Sequence, residues 1–123
     1  DRLGRGKVTP LHIHPDSDET MIVLEGEITM HIDGDDHTVG AGGVACAPRG
    51  VPHAFMVSGT DGARLLCLHT PGCCAAFYMD ASEPAGSDAI GNEGPVDMSK
   101  VQASAARNGG IEILGPPPFA MTA

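Results

Sequence analysis

The succession of short apolar segments between residues 7 and 70, each ended by glycine- or proline-rich turns, most constrains the fold of this chain. Ile28, Met30 and Ile32 alternate with polar residues, a period of two that is typical of a half-buried strand. The Asp33-Gly34 pair that follows favours a hairpin turn. The predicted strands are 8–14, 19–25, 28–32, 37–39, 44–47, 53–57 and 64–69. A turn is expected at Glu25-Gly26, after the strand 19–25, and the whole pattern predicts an all-β sandwich or barrel.

The character of the chain changes after Thr70. Residues 73–80 are compatible with a short helix, and residues 81–96 have the composition of a loop or linker. Asp97 is a candidate N-cap for a second helix that ends at Gly109-Gly110. We therefore predict a β-barrel over residues 1–72, and a C-terminal segment over residues 73–123. That segment has short helices and a tail that packs on the barrel or on a partner subunit.

Length and charge limit the classes of partner. The 123 residues suffice for one domain, and the formal net charge of −9 provides no basic surface for phosphates. We therefore expect no nucleic-acid partner and no membrane partner. No apolar run approaches the ~20 residues that cross a bilayer, and no basic-then-apolar leader is present. We expect a cytoplasmic protein.

The chain begins at Asp1, without an initiator methionine, and its first motif follows almost at once. We interpret it as part of a longer parent that carries one or more further N-terminal strands. Strand exchange within a homodimer would then cover the exposed edge of the barrel.

The four cysteines are interpreted as reduced thiols rather than as a disulfide framework. Cys46 and Cys67 are expected to be inert, buried side chains that behave as small hydrophobic groups. Cys73 and Cys74 are neighbours, and a reaction with oxidants is an alternative role for them.

Four side chains have the chemistry and spacing of a metal site: His12, His14, Glu19 and His53. Residues i and i+2 of a strand share one face, so His12 and His14 can hold one ion together. Glu19 follows a turn-prone stretch, and His53 begins another strand. Such donors suit iron, nickel, manganese, copper, cobalt or zinc, and leave positions open for substrate or dioxygen. His31 and His37 lie on the opposite face or beside a turn, and neither is expected to be a ligand.

Two spacings resemble the motifs of the cupin superfamily. They are Gly6-x5-His12-x-His14-x4-Glu19-x6-Gly26, and Gly42-x5-Pro48-x-Gly50-x2-His53. Val57 stands where the second motif usually ends in Asn. The resemblance covers about residues 6–70, while Thr70–Gly72 and the later IEILGPPP segment resemble the tails of small quercetin-dioxygenase-like cupins. It implies a double-stranded β-helix (cupin or jelly-roll) barrel with a short helical C-terminal tail. It also implies one divalent transition-metal ion inside the barrel and, commonly, a homodimer.

Strand alternation would send several apolar side chains inward beside the ligands. The predicted substrate pocket consists of Met21, Val23, Met30 and Phe55. The alternative is that they form the barrel core, which we favour for most of them, and Phe55 and Met21 are the best candidates for true pocket walls.

Three functions remain open on these grounds. The first, resembling quercetinases, is a metal-dependent dioxygenase that acts on a small enolisable or phenolic substrate, with Glu19 as ligand and general base. The second is a metal-dependent isomerase, decarboxylase or lyase acting on a small acid, which would use groups such as Arg49, Arg64 or Tyr78. The third is a non-catalytic cupin that binds a small molecule. We lean towards an enzyme.

Overall fold

A computed structural model describes residues 2–82 and 96–119. Within these residues the chain forms eight strands and two helices. The strands are β1 Arg2–Leu3, β2 Leu11–Ile13, β3 Asp18–Ile32, β4 Asp35–Gly40, β5 Val44–Ala47, β6 His53–Val57, β7 Ala63–Thr70 and β8 Glu112–Gly115. The helices are α1 Ala75–Ala81 and α2 Met98–Asn108. Most of the predicted linker at 81–96 lies outside the described residues.

The long strand β3 organises the sheet. Its first part pairs with β5 and β7, and its second part pairs with β4 and β6, all antiparallel. Hydrogen-bonded neighbours run in the order β1-β7-β3-β6-β2-β8. The inner faces enclose an apolar core that includes Val23, Ile28 and Leu65. This is the all-β, double-stranded β-helix architecture with a short helical tail, as predicted.

The turn predicted at Glu25-Gly26 is wrong, because β3 continues through it with a shift of register between Val23 and Glu25. Gly26 has φ +82°, and a Cβ atom at this position would collide with the carbonyl oxygen of Gly62, which directly precedes β7. Glycine here therefore allows a bulge and a close backbone crossing instead of a chain reversal.

The hairpin between β3 and β4 is confirmed. Asp33 and Gly34 have φ values of 49° and 90°, and a two-residue turn of type I′ requires positive φ at both positions.

The C-terminal segment packs on the barrel. The Asp97 carboxylate accepts a hydrogen bond from the Lys100 backbone N–H at 3.2 Å, which confirms the predicted cap, and Gly109 ends α2. After α2 the chain forms β8, which pairs antiparallel with β2. The division into residues 1–72 and 73–123 stays a prediction, although β8 joins the sheet of the first part.

Two expectations about cysteines are wrong. Cys46 is exposed, because Ala45 and Ala47 point into the core and alternation along β5 sends Cys46 outward. Cys73 and Cys74 form a disulfide with each other, since the turn before α1 brings the two sulfur atoms together. Cys67 is a free, half-buried thiol, and its burial raises its pKa to about 11.

Candidate metal centre

The predicted ligands converge from three parts of the sheet. His12 lies in β2 directly opposite His53 in β6, and His14 follows β2 on the same face as His12. Glu19 lies near the start of β3. All four side chains are buried, and their donor atoms lie within 4.8 Å of one another. The chain segments that carry these residues are thus brought together by long-range strand pairing.

Each imidazole of the group is held by a backbone carbonyl through its Nδ1 atom. The distances are 2.8 Å from His12 to Pro10, 3.0 Å from His14 to Gly110 and 2.9 Å from His53 to Val51. A carbonyl oxygen can only accept, so Nδ1 carries the proton in each ring. In the neutral form of each ring the lone pair is then on Nε2, which is the arrangement that orients histidine ligands in metal proteins.

Glu19 lies against two of these lone pairs. Its Oε2 atom is 2.8 Å from His53 Nε2 and 3.1 Å from His14 Nε2, and the latter contact lacks hydrogen-bonding geometry. A carboxylate oxygen facing imidazole lone pairs at these distances is unfavourable unless a cation lies between them. A proton or a metal ion satisfies this requirement. The residues therefore fit the divalent ion that the sequence predicts.

The electrostatics of the centre favour the metal-binding forms of Glu19 and His12. Burial opposes ionisation of Glu19, but the imidazoles of His14 and His53 beside it bring its pKa below the usual range. Burial, together with the nearby charge of His53, lowers the pKa of His12 to about 4. Burial also opposes the charge on His14, yet Glu19 and the Gly110 carbonyl raise its pKa overall. At neutral pH the centre thus offers an ionised carboxylate and a neutral His12.

Sequence reasoning missed His69. This residue of β7 lies opposite Glu19 in the sheet, and its Nε2 atom is 3.8 Å from Glu19 Oε2. Its Nε2 atom is buried and has no hydrogen-bond partner. The alternation of Leu65, Cys67 and His69 along β7 places all three on one face, and this pattern would have identified it.

The remaining predicted residues lie elsewhere. His31 is hydrogen-bonded to Asp36 at 2.7 Å and His37 is exposed, so neither reaches the donor group. Arg49 is exposed and bonded to Asp18, and Arg64 is exposed and paired with Glu25 at 3.8 Å.

The four predicted pocket residues, Met21, Val23, Met30 and Phe55, pack together in the barrel core. Their role as pocket walls stays a prediction. An open pocket of about 460 Å³ lies instead beside the centre, lined by His69, Tyr78 and the Cys73–Cys74 disulfide among others. The rings of His69 and Tyr78 are 5.7 Å apart.

Three known proteins resemble parts of this chain. It is 31% identical over 81 residues to quercetin 2,3-dioxygenase of Bacillus subtilis, which is 66% of this chain and 24% of that protein. It is 35% identical over 66 residues to the HTH-type transcriptional regulator PuuR of Escherichia coli, which is 54% of this chain and 36% of that protein. The crystal structure of a predicted oxalate decarboxylase from Thermotoga maritima superposes with a TM-score of 0.53 at 28% identity, covering 55% of this chain and 59% of the other.

The chain therefore spans about a quarter of the length of the quercetin 2,3-dioxygenase and about a third of the length of PuuR. Within the described residues, neither α1 nor α2 has the length and apolar character of a membrane-crossing helix. The family model named Cupin domain matches residues 2–69, more than half of the chain. With the barrel and its buried donor group, this match shows that the chain belongs to the cupin family.

Proposed function

We propose that this cupin is a metal-dependent, dioxygenase-like oxidoreductase that acts on a small enolisable or phenolic substrate. The observation that carries the proposal is the convergence of three histidines and one glutamate, with each Nδ1 atom held by a carbonyl so that Nε2 is the nitrogen left to bind a metal. The similarity to quercetin 2,3-dioxygenase supports the reaction class. We infer that His12, His14, Glu19 and His53 would hold one ion of iron, nickel, manganese, copper, cobalt or zinc.

A bound ion of this kind would supply a site where an ionised enol or phenol and dioxygen can meet. The chain's own contribution is to exclude water and to fix the donors. His12, His14 and His53 are held in one tautomer, which removes the need to reorient them when a ligand arrives.

We assign Glu19 the double role of ligand and general base. Its lowered pKa keeps it ionised but also makes it a weak base while His53 and His14 face it. Proton abstraction from a substrate therefore requires that Glu19 exchange its contact with His53 for one with the substrate. Rotation of the carboxylate towards His69, 3.8 Å away, would bring it to the side of the open pocket.

The substrate is expected to be small. The pocket of about 460 Å³ beside the centre lies within the range of small-molecule sites. The barrel interior is filled by Met21, Met30, Phe55 and their neighbours, so a large flavonoid would have to displace core side chains.

A second candidate is a lyase or isomerase that acts on a small acid, for which the similarity to the predicted oxalate decarboxylase is the favouring observation. Such a substrate would need a cationic partner in the site. Arg49 and Arg64 are at the surface and paired with acidic residues, so this candidate ranks second. A homodimer, a cytoplasmic location and the lack of nucleic-acid partners stay predictions.

The test is turnover by protein purified without a histidine tag, stripped of metal and then loaded with one candidate ion at a time. Oxygen uptake is measured with flavonols and with small β-dicarbonyl compounds. We expect uptake matched to substrate loss with at least one redox-active ion. Glu19→Gln and His53→Ala should abolish it, whereas His31→Ala should retain it.

Metal-dependent turnover of a small acid without oxygen uptake would contradict the dioxygenase and favour the lyase. Small-molecule binding seen as a thermal shift, with no turnover of any substrate, would favour a binding module.

A further inference from the structure

A second group of potential metal ligands lies beside the first. It consists of His14, His69, Cys73 and Cys74, whose donor atoms also lie within 4.8 Å of one another. Cys74 Sγ is 3.3 Å from His14 Nδ1, and Cys73 Sγ is 3.9 Å from the same atom. His14 borders both groups, but its Nδ1 atom donates to the Gly110 carbonyl and its Nε2 atom faces Glu19, so it has no lone pair left for the second group.

His69 provides an independent indication of a ligand. Its Nε2 atom is buried without a hydrogen-bond partner, and its ring centroid is 4.8 Å from that of His14. Buried polar nitrogens are nearly always satisfied, so an unpartnered one indicates a group that the protein atoms do not supply. A metal ion between His69 and the sulfur atoms would satisfy it.

The site is accessible from outside. Both cysteines and His69 line the open pocket of about 460 Å³, which gives a reductant or an ion a direct approach. Cys74 is itself buried, while Cys73 is half-buried at the pocket wall. The pair thus joins the pocket to the buried imidazoles.

The oxidation state of the pair decides whether these sulfur atoms can bind a metal. In the disulfide neither sulfur is anionic, and the thiolate is the form that ligates. Reduction by an external dithiol breaks the S–S bond with two electrons and two protons, and the dithiol becomes a disulfide. A metal ion that then binds displaces the two thiol protons. Two thiolates with the imidazole of His69 are donors that zinc prefers, and they leave one position of a tetrahedral ion open.

We propose that reduction of the Cys73–Cys74 disulfide creates a second metal site, in which Cys73, Cys74 and His69 bind a thiophilic divalent ion such as Zn²⁺. The site is distinct from the centre around Glu19 and does not depend on the proposed oxygenase activity. It makes the metal content of this cupin dependent on the redox state of its surroundings.

The experiment uses Co²⁺ as the probe, because thiolate ligands give cobalt a near-ultraviolet charge-transfer absorption that histidine and carboxylate ligands do not. His53→Ala is the background, since it weakens the first centre and leaves the second group intact. Titrations compare protein treated with a phosphine reductant and untreated protein. We expect about one equivalent of Co²⁺ with the thiolate absorption after reduction and none before it, with Zn²⁺ displacing the cobalt.

Variants identify the ligands. Cys73→Ser should abolish the absorption, and His69→Ala should weaken Co²⁺ binding at least about tenfold. Cys46→Ser is the matched thiol control, and His31→Ala is the matched histidine control. Both should bind Co²⁺ after reduction as tightly as the His53→Ala protein without a further substitution. Absence of the absorption after reduction, or its equal loss in Cys46→Ser, would overturn the proposal.

A measurement on the unsubstituted chain avoids any folding defect of the variants. X-ray absorption of the reduced, Zn²⁺-loaded protein should show two sulfur ligands in the shell of one zinc ion. A shell of nitrogen and oxygen only would contradict the site.

Discussion

His14 Nδ1 lies 3.0 Å from the carbonyl oxygen of Gly110, so a backbone group of the C-terminal segment holds a residue of the first histidine motif. The two residues are 96 positions apart in the chain. This contact fixes the tautomer that leaves His14 Nε2 facing Glu19. The segment after the barrel therefore belongs to the support of the candidate centre.

Substitution at Gly110 tests this support. Gly110 has φ +77°, and a Cβ atom there would lie 2.8 Å from the Cys73 carbonyl oxygen and 3.3 Å from Cys74 Sγ. Gly110→Ala should displace the carbonyl that holds His14 and weaken metal binding by roughly ten- to a hundredfold. Competition titrations against a metal indicator measure this affinity.

The matched control is Gly109→Ala, because Gly109 has φ +68° and open space where the Cβ would lie. Gly109→Ala should lose about 1–3 kcal/mol of stability through its backbone conformation (φ +68°, ψ −163°), with unchanged metal affinity. Equal affinities in the two variants would show that the Gly110 carbonyl does not support the site.

Gly26 provides a stability prediction. Its Cβ would meet backbone atoms of Gly62 and Ala63, which cannot rotate away, in addition to the strain of φ +82°. Gly26→Ala should therefore lower the free energy of unfolding by about 2–5 kcal/mol. Urea unfolding followed by circular dichroism measures it.

Gly34→Ala separates steric collision from backbone strain. Gly34 has φ +90° and nothing near the position of a Cβ. The free energy of unfolding of Gly34→Ala should therefore fall by only about 1–2 kcal/mol. If the two alanine variants were equally stable, the close crossing of β3 and the Gly62 turn would be refuted.

The pH dependence of the metal-free protein follows from His12. Its pKa is lowered from 6.5 to about 4, so between these pH values the unfolded chain binds a proton that the folded chain does not. The contribution of neutral His12 to the free energy of unfolding is up to about 3 kcal/mol. It is complete above pH 6.5 and is lost as the pH falls towards 4. Unfolding free energies of the chelator-treated protein across this range measure it.

His12→Gln should flatten the stability profile between pH 6.5 and 4, whereas His37→Gln, at an exposed position, should leave it unchanged. His14 has the opposite effect, because its pKa is raised in the folded protein. Its contribution to the free energy of unfolding is present at low pH and is lost as the pH rises. A profile for His12→Gln that matches the unsubstituted protein would contradict the assignment.

The strand pattern predicted much of the fold because hairpin turns and alternation are local. Residues 44–47 and 53–57 are strands with the predicted bounds, and a hairpin turn lies at Asp33-Gly34 as predicted. The turn expected at Gly26 failed because its glycine serves a contact with Gly62, which is distant in sequence.

The same distinction applies to the candidate centre. The histidine and glutamate spacings predicted which residues converge, since strand periodicity sets their faces. The contact of Gly110 with His14 and the position of the disulfide beside His14 depend on three-dimensional packing. No local pattern encodes such contacts.

The central claim is that His12, His14, Glu19 and His53 hold one metal ion. Its most direct test is elemental analysis of tag-free protein purified without chelators, beside His12→Ala, His53→Ala and His31→Ala. We predict about one equivalent of a transition metal in the unsubstituted protein and in His31→Ala, and nearly none in the two ligand variants. Equal metal content in all four proteins, or no metal after reconstitution, would contradict it.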